Sequence, residues 1–280
     1  MNYFAAIMLC AFGLALAVPS TAQSGRPTID LSPVLLDARG GEGTTLGLDF
    51  EVNGKRGFVK SSEDPTADEI DPEVQYSRFA LVYRIAGTFA ADEERNPKDF
   101  VNARVDANYR LSSAKALGTI DAGGFVTYET DQSFDNEQFV YGISATYGKR
   151  NIVRDNDFFG INLRRGQVDP TKDAARQAAL GTTSLDKYYR NEAEVLYTIP
   201  IQEVIPFIDK LVEGFEFNYR YFHESGAPDA IEAAGIDSFF LRTFRLNLKK
   251  DLFIAYSNGK LPFDLQNDEF FTLGFNYKLE

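Results

Sequence analysis

Arginines and carboxylates sit two or four residues apart at several places in the chain: Arg104, Asp106 and Arg110; Arg190, Glu192 and Glu194; Glu216 and Arg220; and a further arginine, Arg245, follows. On a strand, residues two apart share a face. Each stretch therefore presents charge on one side, and charges of both signs on one face can pair or line a polar path. Covalent and metal chemistry find little support. The chain has one histidine, His223, and one cysteine, Cys10, so no multiple-His or Cys metal cluster forms, and there is no glycine-rich phosphate loop. The net charge is −12, and no basic nucleic-acid patch stands out in the chain. No cofactor, metal ion, catalytic residue or nucleic-acid partner is expected.

One segment tests the enzyme reading. Tyr256-Ser257-Asn258-Gly259-Lys260 resembles the stretch that follows the nucleophile of outer-membrane phospholipase A, where a histidine stands two residues before the serine. Here that position is Ala255, which cannot act as a base, and Ser-Asn-Gly at a strand end reads as a turn. His223 could serve a serine only by meeting it in space. A hydrolase is the third functional expectation, and the leading one is that the chain is not an enzyme.

The elements that carry these charges are strands. From Val101 to Leu111 every odd residue is apolar and every even one polar or charged, and the same period recurs at Phe79–Ile85, Phe139–Tyr147, Phe159–Leu163, Ala193–Ile199, Phe215–Tyr221 and Phe244–Leu248. Strict alternation fits a strand with lipid on one side and water on the other. No segment has the roughly 20 apolar residues of a membrane helix. The expected fold is all-β, a transmembrane antiparallel up-and-down barrel of about twelve strands, with ten or fourteen as alternatives. The first two strands, 44–52 and 55–61, are expected to form a hairpin turning at Asn53-Gly54.

Both ends agree with this. Residues 1–22 read as a signal peptide with an apolar run from Ala5 to Val18, residues 23–43 as an N-terminal periplasmic segment, and 44–280 as the barrel. The last strand alternates Phe271, Leu273, Phe275, Tyr277 and Leu279 with polar or small residues. Its Thr272, Gly274, Tyr277 and Leu279 resemble the terminal assembly signal of Gram-negative outer-membrane β-barrel proteins, although Glu280 stands where an aromatic residue usually ends the chain. The resemblance implies residence in the cell outer membrane, with its lipid and the barrel-assembly machinery as partners.

Sorting charges by face puts Arg78, Arg84, Arg104, Arg110, Arg164, Arg190, Arg220, Arg245, Lys249 and Lys278 in the lumen, with Asp49, Glu51, Asp106, Asp121, Glu129, Glu192, Glu194 and Glu216. Interior arginine rows and the strand number resemble small acidic-oligosaccharide porins. The leading expectation is a channel for passive diffusion of small hydrophilic, and by that resemblance anionic, solutes, lined by Arg104, Asp106, Arg110, Arg190, Glu192, Glu194, Glu216, Arg220 and Arg245. The alternative is a closed barrel whose charges lock together, serving as anchor or scaffold for an envelope protein partner. The segment Asp169-Pro170-Thr171 to Gly181 reads as a short capped helix that either enters the mouth, projects outward or packs on the rim.

Overall fold

A strand with one apolar and one polar face needs hydrocarbon on one side, water on the other and hydrogen-bonding neighbours on both edges, and a closed sheet meets all of these demands. The computed structural model describes residues 22–24, 27–37, 43–58, 79–114, 118–182, 185–201, 211–226, 231, 237–264 and 267–279. Its strands are β1 (Ala22–Ser24), β2 (Thr28–Asp37), β3 (Thr44–Phe58), β4 (Phe79–Ala90), β5 (Val101–Ala114), β6 (Gly118–Thr130) and β7 (Asn136–Arg150). They continue with β8 (Phe158–Asp173), β9 (Tyr188–Pro200), β10 (Val212–Ser225), β11 (Ser238–Leu248), β12 (Leu252–Gly259), β13 (Asp268–Phe275) and β14 (Tyr277–Leu279). Helix α1 (Ala174–Leu180) follows β8.

From β3 to β13 each strand pairs antiparallel with the next, and β2 closes the ring against β3 on one edge and β13 and β14 on the other. β13 and β14 are one strand interrupted at Asn276, so the result is a closed twelve-strand barrel with the short β1 added along β3.

The strand number agrees with the sequence reading, but its first members do not. Residues 44–58 form one continuous strand, and Asn53-Gly54 lies in its middle. Gly54 is there for packing: a Cβ would fall 2.0 Å from the Tyr83 ring. The twelfth strand is β2, which lies within the segment 23–43 assigned to a periplasmic arm. Its period is masked by Val34 and Leu36, which are apolar yet point inward. Pro33 lies opposite the break between β13 and β14, where its missing N–H does least harm to the ladder. The leader assignment falls on residues outside those described, apart from Ala22.

Outward residues such as Ile143, Leu163, Phe271, Leu273 and Tyr277 are exposed and apolar, and inward ones are mostly polar. The barrel has a terminal end, where β2 begins and β14 finishes, and a far end. At the terminal end the turns 151–157 and Lys249–Asp251 are short. In the first, the Asp157 carboxylate accepts the N–H groups of Ile152, Val153 and Arg154 and the Tyr197 hydroxyl. Burial pushes the Asp157 carboxyl up, but these donors outweigh it and hold it below the ordinary aspartate range.

Helix α1 begins later than the sequence suggests. Strand β8 runs through Asp169-Pro170-Thr171, made tolerable by a register shift between Glu137 and Gln138 that leaves Thr171 without a partner on β7. The cap is Asp173, which accepts the Arg176 N–H at 3.0 Å, and Gly181 ends the helix in the left-handed region at φ 64°.

Candidate functional site

The bore has two unlike halves. On the terminal side is a chamber of about 1060 Å³, lined by inward residues of the barrel strands. Ten carboxylates line it against seven cationic side chains. Alternation on β9 and β10 sets Arg190, Glu192, Glu194, Glu216, Asn218 and Arg220 on its wall. Glu192 accepts from Arg164 at 2.8 Å and Arg220 at 2.9 Å, and Glu194 from Asn162 at 3.0 Å and Asn218 at 2.9 Å. Arg104 pairs with Asp106, and Arg84 with Glu51 at 2.7 Å. Arg245 donates to Asn247 and Asn276 and lies 3.8 Å over the Phe253 ring. Glu216 faces Arg245 across the β10–β11 ladder and has no ion pair among the described residues.

Eight of the nine sequence-selected lumen residues thus surround one chamber. The ninth, Arg110, is not part of its lining; it pairs with Asp121 across the ladder joining β5 and β6.

The far half is packed. Arg176 of α1 reaches in to donate to Glu224 at 2.7 Å, to the Tyr188 hydroxyl at 3.0 Å and to the Pro262 carbonyl at 3.2 Å. Glu224 also accepts from Arg190, which donates to Glu129 at 2.7 Å, and Glu129 accepts from Gln138 at 2.6 Å. All of these side chains are buried. The network joins α1 to β6, β7, β9, β10 and the connection after β12. Burial works against the charge on Arg176, and Tyr188 and Glu224 more than offset it, so the group is held above its ordinary value and stays cationic.

Apolar groups fill the remainder: Phe125, Val140, Val168, Tyr188 and Ile231 with Leu180; Phe100, Leu261 and Phe263; and a Phe222–Phe239 stack with centroids 4.7 Å apart. The connection 91–100 also folds in, with Asn96 bonded to Thr88 and Gln132 and Lys98 reaching Asp49 at 2.8 Å. Sequence reasoning passed over Arg176, Gln138, Tyr188 and Glu224 as members of this network. Two signals were present: Arg176 is the one charged residue within α1, and alternation along β10 puts Glu224 on the same face as Arg220.

The remaining candidates do not assemble a reactive centre. Ser257 points inward to Thr243 at 3.0 Å, whereas Asn258 belongs to the outer face and bonds Glu269. His223 does meet a serine, with Nδ1 2.9 Å from Ser238 Oγ. But Ser238 donates to Asp237 at 3.1 Å, and the same carboxylate lies 3.7 Å from that same Nδ1. A triad needs the carboxylate on the opposite ring nitrogen. Among the described residues no group of three or more His, Cys, Asp or Glu could hold a metal ion.

In the terminal strand Thr272 and Gly274 face inward, while Tyr277 and Leu279 are exposed outside. A Cβ on Gly274 would lie 2.5 Å from the Phe253 ring, so the glycine makes room for the ring beneath Arg245.

No family model matches the chain, and no curated protein matches it in sequence. Solved barrels resemble it at low identity. The NanC porin aligns at a TM-score of 0.48 with 9% identity, covering 90% of this chain and 100% of that one. A KdgM porin in complex with disordered oligogalacturonate gives 0.39 and 12%, covering 90% and 99%. Pseudomonas aeruginosa OccK11 (OpdR) gives 0.39 and 10%, covering 91% and 96%. Identities this low carry no residue roles across.

Proposed function

We propose that this protein is an outer-membrane channel for small hydrophilic solutes, with its terminal end in the periplasm and its far mouth held shut by α1. The observation that carries the reading is the charged chamber of about 1060 Å³ inside an apolar-walled barrel. A barrel that served only as an anchor needs no hydrated compartment. Orientation follows from the rule that such barrels keep both termini and their short turns on the periplasmic side. The terminal residues Thr272, Gly274, Tyr277 and Leu279 then serve as the assembly signal.

The anionic solute suggested by the arginine rows has less support than a cationic one. Among the described residues, the lumen arginines other than Arg245 are engaged by carboxylates, and the chamber lining carries three more acids than bases. A confined net negative lining favours cations. The far mouth acts as a gate: loss of the Arg176 side chain removes its bonds to Glu224, Tyr188 and Pro262 together and loosens α1 from the bore.

The packed far half favours a second reading, a sealed barrel that serves as scaffold. Swelling of proteoliposomes in small neutral sugars separates the two. The channel reading expects slow swelling with wild type and faster swelling, falling with solute size, with Arg176→Ala. No swelling with either protein overturns it in favour of the sealed barrel.

A further inference from the structure

We infer that the outer wall of β8 to β11 carries a binding site for the phosphate groups of an outer-leaflet lipid, with Arg165 and Arg242 as its cationic poles. The inference rests on the outer-membrane placement and orientation proposed above. It begins from a contrast within one residue type. Inside the barrel, the described arginines are held by carboxylates or amides. Arg165 and Arg242 point the other way, are exposed, and have no carboxylate or hydrogen-bond partner among the described residues; each lies over an aromatic ring, Tyr189 at 5.6 Å and Phe240 at 5.9 Å. Around them the wall is apolar and exposed, with Ile143, Leu163, Tyr221 and Phe244. A guanidinium on a hydrocarbon-facing wall is costly unless it reaches the interface and an anion.

Their heights agree. Arg165 stands seven residues beyond the terminal-end start of β8, and Arg242 six before the terminal-end finish of β11. At roughly 3.3 Å per residue along strands tilted about 40°, both lie in the upper part of an apolar band of about 25 Å, within reach of the far interface for a long side chain. The register adds polar neighbours there: Arg165, Asn191, His223 and Ser238 form one cross-strand row, directly above an apolar row of Leu163, Ala193, Tyr221 and Phe240. The carboxylate nearest Arg242 in its own row, Glu269, is held by Asn258. An anion for these two cations must come from outside the chain, and at this level a lipid phosphate supplies one in bidentate geometry. Two cations at one height, three strands apart, suit a headgroup with two phosphates.

The test uses the full barrel in mild detergent with diphosphoryl lipid A and its dephosphorylated form as probes. Bound lipid is counted by native mass spectrometry, and folding is checked by heat-dependent gel migration. The expected result is binding of the phosphorylated form in preference to the other, at least about tenfold weaker in Arg165→Gln/Arg242→Gln, and unchanged in Arg56→Gln, which makes the same charge change on β3 near the terminal end. Arg165→Lys, which keeps the charge but loses the fork, should fall between and serves if the double variant does not fold. Equal binding of the two lipid forms, or an unaltered double variant, overturns the site. So does a double variant that binds lipid normally but changes oligomeric state, which would make this face a contact between copies. Lipid binding is read without conductance, so a sealed barrel that still binds would sink the channel reading alone.

Discussion

The far and terminal halves of the bore are built from the same alternating strands, yet one is packed and the other is a chamber. The difference lies in what the connections contribute. At the far end α1, the 91–100 connection and the segment after β12 bend into the mouth and bring Arg176, Lys98, Phe100, Leu261 and Phe263. At the terminal end the turns 151–157 and Lys249–Asp251 stay on the rim: Asp157 gathers its own turn's N–H groups, and Lys249–Asp251 bonds to Leu211 and Asn276 beside it. Strand alternation therefore decides which face is polar, and the connections decide whether that polar space stays open.

The comparison can be broken hardest at Arg190, which sits at the boundary. Arg190→Ala takes the ion-pair partner from buried Glu129 and leaves Glu224 to Arg176 alone, and removing one partner of a buried ion pair costs about 3–5 kcal/mol. Thermal unfolding of the folded barrel should fall accordingly. Arg84→Ala in the chamber should cost about 0.2–1 kcal/mol, because Arg84 is 47% exposed and its pair with Glu51 is solvated. Equal losses at the two sites would erase the distinction between the halves.

A smaller effect is expected at Gly274. An alanine there must displace the Phe253 ring and with it the platform under Arg245, at about 1–3 kcal/mol of overpacking. The readout is the denaturant midpoint, compared with Gly181→Ala, where space is open and only the left-handed backbone of a surface cap is strained.

A prediction outside the bore concerns pH. Asp157 is held below its ordinary range in the folded state, so the stability it contributes is present above the unfolded aspartate value and is lost as pH falls through the lowered folded value. Asp157→Asn should remove that part of the acid dependence and cost about 1.5–3 kcal/mol at neutral pH, the worth of hydrogen bonds to a charged group, because its backbone donors are left with a weaker acceptor. An unaltered acid limb of the stability curve in the variant would refute the assignment.

The barrel was legible in the sequence because alternation depends only on local residue order, and the C-terminal strand and the β5 to β11 charges follow from it. The first hairpin was not. Asn53-Gly54 has turn chemistry, but what places it is the Tyr83 ring on the neighbouring strand, which lies far away in sequence. Strand β2 was hidden by the same kind of cause, since Val34 and Leu36 point inward to meet Phe253 and Ala255 rather than water. The Arg176–Glu224 contact joins residues 48 positions apart through a folded-in connection, and no periodicity announces such a contact.

The central claim, that the packed half is a gate on a cation-preferring chamber, is tested most directly by single-channel recording of wild type and Arg176→Ala in planar bilayers under a salt gradient. The account predicts rare openings in wild type, frequent ones in the variant, and a reversal potential on the cation-selective side in both. Silence in both proteins, or an anion-selective reversal potential, would contradict it.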